Sequence, residues 1–268
     1  MKQKIEIDYK ELEEKLISYI SNLVGQRNVV VGLSGGIDSS IVCALAVKAL
    51  GIERVKAIIV KNSRYPAQNL QISRDYAKGL GVQIQEIDST GIREGAFRSL
   101  DFKQDNLLVS ATLDARICDL IIKTVAGLED RIYLGTINGT ERLTGWYPKG
   151  NLVGDFAPIG GLLKSQEKKL AEHMGLGYLV ETISEDSARI CSGCGELPEF
   201  KGIPYSTLDE VLYIYETSKG DNLARRLRES GIDRAVYMKI IGRILLVDHK
   251  NDVFPNYCKI NLSEDESK

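Results

Sequence analysis

Residues 28–47 read Asn28-Val29-Val30-Val31-Gly32-Leu33-Ser34-Gly35-Gly36-Ile37-Asp38-Ser39-Ser40-Ile41-Val42-Cys43-Ala44-Leu45-Ala46-Val47. An apolar, strand-like run gives way to a short glycine turn and then to an apolar, helix-like run. A strand that stops in Ser-Gly-Gly and restarts as a helix presents outward-pointing backbone N–H groups at a helix N-terminus, where the dipole favours negative charge. Gly32, Leu33, Ser34, Gly35, Gly36, Ile37, Asp38 and Ser39 therefore read as a phosphate cradle. Gly35 and Gly36 permit close backbone approach, and Ser34 and Ser39 add hydroxyl groups. Asp38 is the odd member. A carboxylate beside a phosphate is repulsive unless a cation joins them, so Asp38 points to Mg2+ bridging to a polyphosphate. The competing reading is a plain strand-to-helix turn. The loop fits neither Gly-x-x-x-x-Gly-Lys-Ser/Thr nor Gly-x-Gly-x-x-Gly.

Outward from this stretch, apolar Leu12, Leu16, Ile17, Ile20 and Leu23 predict a helix over 8–24. Strands are expected at 29–33, 55–60, 82–87 and 131–134, and 55–60 is apolar enough to be buried on both faces. Helices are expected at 39–50, 66–80, 106–125, 139–146 and 163–174. A short strand is expected at 179–181, an irregular functional loop or lid at 184–204, and three helices near 207–217, 219–230 and 232–247. Strands alternating with helices predict an α/β fold with a doubly wound parallel sheet flanked by helices, Rossmann-like, with ligands at the strand carboxyl ends. The chain reads as a single domain over 1–268 with a helical C-terminal part at about 206–250.

The chain has 268 residues, 43% hydrophobic and 27% charged, with net charge −2, enough for one large α/β domain. This near-neutral balance argues against a dedicated nucleic-acid binder. No run of about 18 apolar residues is present, so no membrane span is expected. The first eight residues have no apolar signal core. Five cysteines, an odd number, suit reduced thiols in a cytoplasm better than a disulfide framework.

Gly135-Thr136-Ile137-Asn138-Gly139-Thr140-Glu141 follows the fourth strand and so shares a sheet edge with the Ser34–Ser39 loop. Thr136 offers a hydroxyl there. Asp38 and Glu141, from two strand ends, form a plausible clamp for Mg2+ and polyphosphate. A helix-start charge is the competing reading for Glu141.

The Ser-Gly-Gly-x-Asp-Ser loop resembles that of N-type ATP pyrophosphatases, which are adenine nucleotide alpha hydrolase-like in fold. Those enzymes cleave ATP between the α and β phosphates and adenylate an acceptor. A narrower likeness follows. Ala115-Arg116 stands twenty residues before Thr136, Glu141 follows by five, and Thr144-Gly145-Trp146-Tyr147-Pro148-Lys149 comes next. Asp155, Pro158 and Ile159 then lead into Leu163-Lys164-Ser165-Gln166. Asp186-Ser187-Ala188, Tyr205-x-x-Leu208-Asp209 and His249-Lys250 complete the series. In this pattern the chain resembles the ammonia-dependent NAD(+) synthetase family.

The resemblance implies amidation of deamido-NAD(+) with ATP and ammonia, giving NAD(+), AMP and diphosphate through an adenylated intermediate. It implies that Gly32–Ser39, Thr136, Lys164 and Ser187 contact ATP and that Asp38 and Glu141 hold Mg2+. Asp38 and Lys164 would be catalytic. Arg116, Lys149, Asp155, His249 and Lys250 would contact deamido-NAD(+). A homodimer in the cytoplasm is the family expectation, and the apolar stripe of helix 8–24 offers one surface for it. The chain has no glutaminase-like segment or N-terminal Cys, so free ammonia is the expected nitrogen source. Lys149, Lys164 and Mg2+ would neutralise the phosphates and stabilise the leaving diphosphate. His173 reads as a surface helix residue.

The sequence departs from the family pattern around Cys118, Cys194 and Asn251, all in substrate-facing segments. An amidating enzyme acting on another nicotinate nucleotide is the alternative these departures raise. Cys191-Ser192-Gly193-Cys194 raises another, a tRNA sulfur transferase with Cys118 or Cys258 as a third ligand. Two small thiols in a loop is the plain reading.

Overall fold

In a computed structural model, residues 7–100, 106–149, 154–182, 200–218 and 220–253 are described. Four parallel strands form one sheet: β1 (Asn28–Gly32), β2 (Val55–Lys61), β3 (Gln83–Asp88) and β4 (Arg131–Leu134), in the order β3-β2-β1-β4. In register, Val31 lies beside both Ala57 and Leu134, so the strands end on a common edge. The chain builds outward from β1 to β3, then returns to the other flank of β1 for β4. The carboxyl ends of β1 and β4 thus flank a topological switch point, where a ligand crevice opens. Past β4 the sheet is extended by a single parallel bridge from Leu134 to Phe156.

Helices cover both faces because β1 and β2 are apolar at consecutive positions. Val29, Val31, Ile59 and Leu134 face a core made with Leu16 and Ile20 of α1 (Tyr9–Val24) and Ile41 and Leu45 of α2 (Ile37–Leu50). Residues of α3 (Ala67–Leu80) and α7 (Lys164–His173) join the same core. Val30, Ile58, Val60 and Tyr133 face the other way, onto Ile117, Ile121, Ile122 and Val125 of α5 (Leu107–Leu128). Each such buried aliphatic side chain contributes about 1.5–3 kcal/mol. A third cluster joins Leu143 of α6 (Gly139–Thr144) to Leu208, Val211 and Leu212 of α9 (Tyr205–Thr217) and Ile240 and Ile244 of α11 (Arg234–Val247). The helix α10 (Gly220–Glu229) lies between the last two in the chain.

The α/β doubly wound expectation holds, and the four main strands and the three C-terminal helices lie where the sequence places them. The short strand expected at 179–181 is instead part of a helix, α8 (Gly177–Thr182), which seats Leu179 in the core. A stretch of three residues cannot distinguish strand from helix by periodicity. The helix α4 (Thr90–Ser99) was not foreseen, since Gly91 and Gly95 interrupt its pattern and Arg93 lies on its buried face beside Phe97. The stripe of α1 does not offer the expected dimer surface: Leu12, Leu16, Ile20 and Val24 are buried in the chain's own core. No described helix is long and apolar enough to cross a membrane. The lid expected at 184–204 lies almost wholly outside the described residues.

Candidate active site

The turn after β1 is held from within. Ser39 Oγ donates to the Gly36 carbonyl (3.0 Å) and lies 3.2 Å from Ser34 Oγ, and Gly36 N–H donates to Ser34 Oγ (3.3 Å). Tyr65 O–H, from the end of β2's loop, donates to the Ser34 carbonyl (2.8 Å). Burial pushes the Tyr65 phenol up to about 12, so it stays a donor. Gly35 has φ +74, and a Cβ there would sit 2.5 Å from the Asn69 carbonyl oxygen of α3. Only glycine fits that backbone and that contact. The first N–H groups of α2 have no intrahelical acceptors and open toward the crevice. Helix α2 begins at Ile37, two residues earlier than expected, which puts Asp38 in its first turn. The Ile37 side chain itself packs into the core.

Both oxygens of Asp38 are engaged. Oδ1 accepts from Asn138 Nδ2 (2.6 Å) and Oδ2 from Lys164 Nζ (2.7 Å). Burial alone would raise the Asp38 pKa, but the Lys164 ammonium and these hydrogen bonds hold it below the usual carboxylate range. Lys164 Nζ also lies 2.9 Å from Oε2 of Glu167, a fully buried residue one helical turn on. Burial lowers the Lys164 pKa, yet Asp38, Glu167 and Glu141 together raise it well above the usual value. Burial first, and then the charge of Asp38, hold Glu167 well above the carboxylate range.

Polar side chains support this centre. Asn138 caps α6 and accepts from Glu141 N–H (2.9 Å), while Glu141 Oε2 accepts from Asn138 N–H (3.2 Å). This is a capping box of the Asn-x-x-Glu type. Lys164 N–H donates to Thr140 Oγ1 (2.8 Å), and Thr140 O–H donates in turn to Asp209 Oδ1 (2.7 Å). Asp209 Oδ2 accepts from Ser165 N–H (2.6 Å). A buried carboxylate on α9 thereby sets the start of α7, and so the place of Lys164.

A cavity of about 240 Å³ opens from this centre. Asp38, Ser34, Ser39, Thr136 and Glu141 line it together with Gly32 and Leu33, so residues over a hundred positions apart in sequence meet as expected. Its far end carries a cluster that sequence reading missed. Asp114 of α5 accepts from Arg93 Nε (2.8 Å) and lies 3.3 Å from Arg64 Nη1, and both guanidiniums also donate to Ser110 Oγ. Ser110 and Asp114 share a face of α5 at i, i+4, but no spacing rule links them to Arg93 of α4 or to Arg64 of the β2–α3 loop.

Other expected positions lie apart from Asp38. Arg116 is exposed on α5, and Lys149 is exposed at a segment end. Asp155 accepts from Tyr133 N–H (2.8 Å) beside β4. Lys250 donates to the carbonyls of Gly145 (2.7 Å) and Tyr147 (3.0 Å), while His249 is exposed. The structure therefore does not bring these five into the cavity lining. His173 is exposed, as expected, and faces Glu13 at 3.2 Å. Ser187, Cys191, Cys194 and Cys258 lie outside the described residues. Cys118 lines the cavity, and burial pushes its thiol up to about 12.

The residues present fit a hard divalent cation in one way. Two carboxylates, Asp38 and Glu141, line one cavity. Among the described residues no group of three or more His, Cys, Asp or Glu could hold a metal ion by itself. Two protein carboxylates with phosphate oxygens and water completing the shell is the pattern Mg2+ favours.

Known proteins share this chain's pattern. The NAD synthase family matches residues 8–253. An NH(3)-dependent NAD(+) synthetase of Pyrobaculum aerophilum is 34% identical over 215 residues, covering 77% of this chain and 78% of that one. The NH3-dependent NAD synthetase from Campylobacter jejuni, solved with a nitrate ion, superposes with a TM-score of 0.75 at 24% identity, covering 91% and 97% of the two chains. An NMN synthetase from Francisella tularensis superposes with a TM-score of 0.71 at 22% identity, covering 96% and 100%. These structural likenesses establish the shared fold.

Proposed function

Because this chain belongs to the NAD synthase family, we propose that it amidates deamido-NAD(+) with ammonia at the expense of ATP, releasing NAD(+), AMP and diphosphate. The observation that carries this reading is the Asp38–Lys164 pair at the switch point between β1 and β4, with Glu141 lining the same cavity. A polyphosphate with its cation accounts for a lysine beside Asp38, a second carboxylate in the same cavity and a glycine turn at the strand end.

In this reading the Ser34–Ser39 loop and Thr136 hold the phosphates, and Ser187 adds a hydroxyl. Asp38 and Glu141 hold Mg2+, which when bound draws charge from the phosphate oxygens. The substrate carboxylate is already ionised and attacks the α-phosphorus, so no general base is needed. The bond to the bridging oxygen breaks as diphosphate leaves. Lys164 exchanges Asp38 for a phosphate oxygen and stabilises the charge growing on that leaving group. Ammonia then adds to the acyl carbon, AMP departs, and a proton is lost to water. Arg116, Lys149, Asp155, His249 and Lys250 are the candidate contacts for deamido-NAD(+). Leu108, Leu120 and Leu128 of α5 are exposed apolar residues that a homodimer would cover. A cytoplasmic setting, where these substrates are available, belongs to the same reading.

The test is purified protein with deamido-NAD(+), ATP, Mg2+ and ammonium, with NAD(+), AMP and diphosphate quantified together. Equal amounts of the three are expected. Absence of NAD(+) beside an active control enzyme refutes the reading. Nicotinate mononucleotide in place of deamido-NAD(+) tests the alternative acceptor.

A further inference from the structure

Glu167 is a side chain at the centre that the reaction as derived leaves unused. It lies on the buried face of α7 with Leu170 and Ala171, which pack into the apolar core. Packing alone would call for another apolar residue there. Instead the position carries a carboxyl group with no exposed surface. Neither of its oxygens meets a well-aligned hydrogen-bond partner, and Oε2 lies 2.9 Å from Lys164 Nζ. Burying so polar a group without full pairing is costly, and such a cost persists where the group serves a purpose.

The two carboxyl groups beside Lys164 differ in what they can do. Asp38 reaches Lys164 from α2, across the crevice, and is also the group assigned to the cation. Glu167 sits three residues along the same helix, so its distance from Lys164 is set by α7 itself and survives any movement of the β1–α2 turn. A lysine side chain has four rotatable bonds and is poorly positioned by one partner that leaves.

We propose that Glu167 is the positioning residue for Lys164, holding its ammonium group at the crevice when Asp38 is released to bind the cation. This rests on Lys164 acting on the phosphates. Without Glu167, Lys164 would follow Asp38 or swing into solvent, and the leaving diphosphate would lose an aimed positive charge.

The experiment compares Glu167→Met and Glu167→Ala, which remove the oxygen, with Glu167→Gln, which keeps it, and with Lys164→Ala. Each variant is examined for kcat and KM for ATP, for affinity of the non-cleavable analogue α,β-methylene-ATP with Mg2+, and for melting temperature. Met and Ala are expected to lower kcat by at least about tenfold, since an aimed charge matters most in the transition state. Analogue affinity is expected to change less than about threefold, and Gln to recover kcat to within about threefold of wild type. If Met fails to fold, Ala is read in its place. Wild-type kcat in the folded removal variants, with Lys164→Ala inactive, overturns the proposal and leaves the role of Lys164 standing. A kcat loss that disappears on cooling below each variant's melting range also overturns it, as that marks a purely structural role. An active Lys164→Ala overturns the underlying reading of Lys164 itself.

Discussion

Replacing Asp209 with alanine should damage the active site from a distance of two hydrogen bonds. The carboxylate is 3% exposed, accepts from the Thr140 hydroxyl at 2.7 Å and from the Ser165 N–H at 2.6 Å, and is not among the residues lining the cavity. Hydrogen bonds to a charged group contribute about 1.5–3 kcal/mol each, and their loss leaves two donors unpaired inside the protein. The expected destabilisation of Asp209→Ala is therefore about 3–5 kcal/mol. In urea, with a slope of about 2.5–3 kcal/mol per M, the midpoint should fall by about 1–2 M with the slope unchanged. Asp209→Asn keeps one acceptor oxygen and should lose about half as much. Because Thr140 Oγ1 also accepts from Lys164 N–H, the start of α7 should loosen and kcat should fall even where the protein remains folded. Denaturation by circular dichroism and steady-state kinetics at low temperature measure the two effects. A midpoint within about 0.3 M of wild type, corresponding to less than 1 kcal/mol, would show that α7 is held by its apolar face alone.

Three other outcomes are expected. Asp38→Ala should lower Mg2+-dependent kcat by about 10²–10³, as for loss of a group organising transition-state charge, and near-wild-type kcat would remove Asp38 from the metal site. Gly35→Ala forces a Cβ to 2.5 Å from the Asn69 carbonyl at positive φ, which should cost about 2 kcal/mol or more and weaken ATP binding. Isothermal titration with ATP and Mg2+ reads this, and unchanged affinity would contradict it. Glu167 has a folded-state pKa raised well above its unfolded value, so its stabilising contribution is complete below the unfolded pKa and is lost as pH rises through the folded pKa. Glu167→Gln cannot titrate. It should therefore melt increasingly above wild type as pH rises from the carboxylate range, and a difference independent of pH would contradict the assignment.

The sequence alone determined the sheet and the glycine turn after its first strand, because both depend on local patterns. Val29-Val30-Val31 can be buried on both faces only in a covered parallel sheet, and Ser-Gly-Gly before an apolar helix leaves few other conformations. Asp38, Thr136 and Glu141 were legible for the same reason, since each follows a strand end and the parallel topology brings strand ends together. Tertiary structure decided the rest. Asn138, Tyr65 and Glu167 touch the turn or its charged residues through side chains whose partners lie far along the chain, and no local rule predicts such partners. The Arg93–Asp114–Arg64 cluster needed a helix that glycines hid from periodicity. The Ser34–Ser39 turn thus sets its own backbone geometry, with glycine required at position 35. That a buried carboxyl group one turn along α7 lies beside Lys164 is decided by the tertiary structure, because burial and distance exist only once the chain has packed.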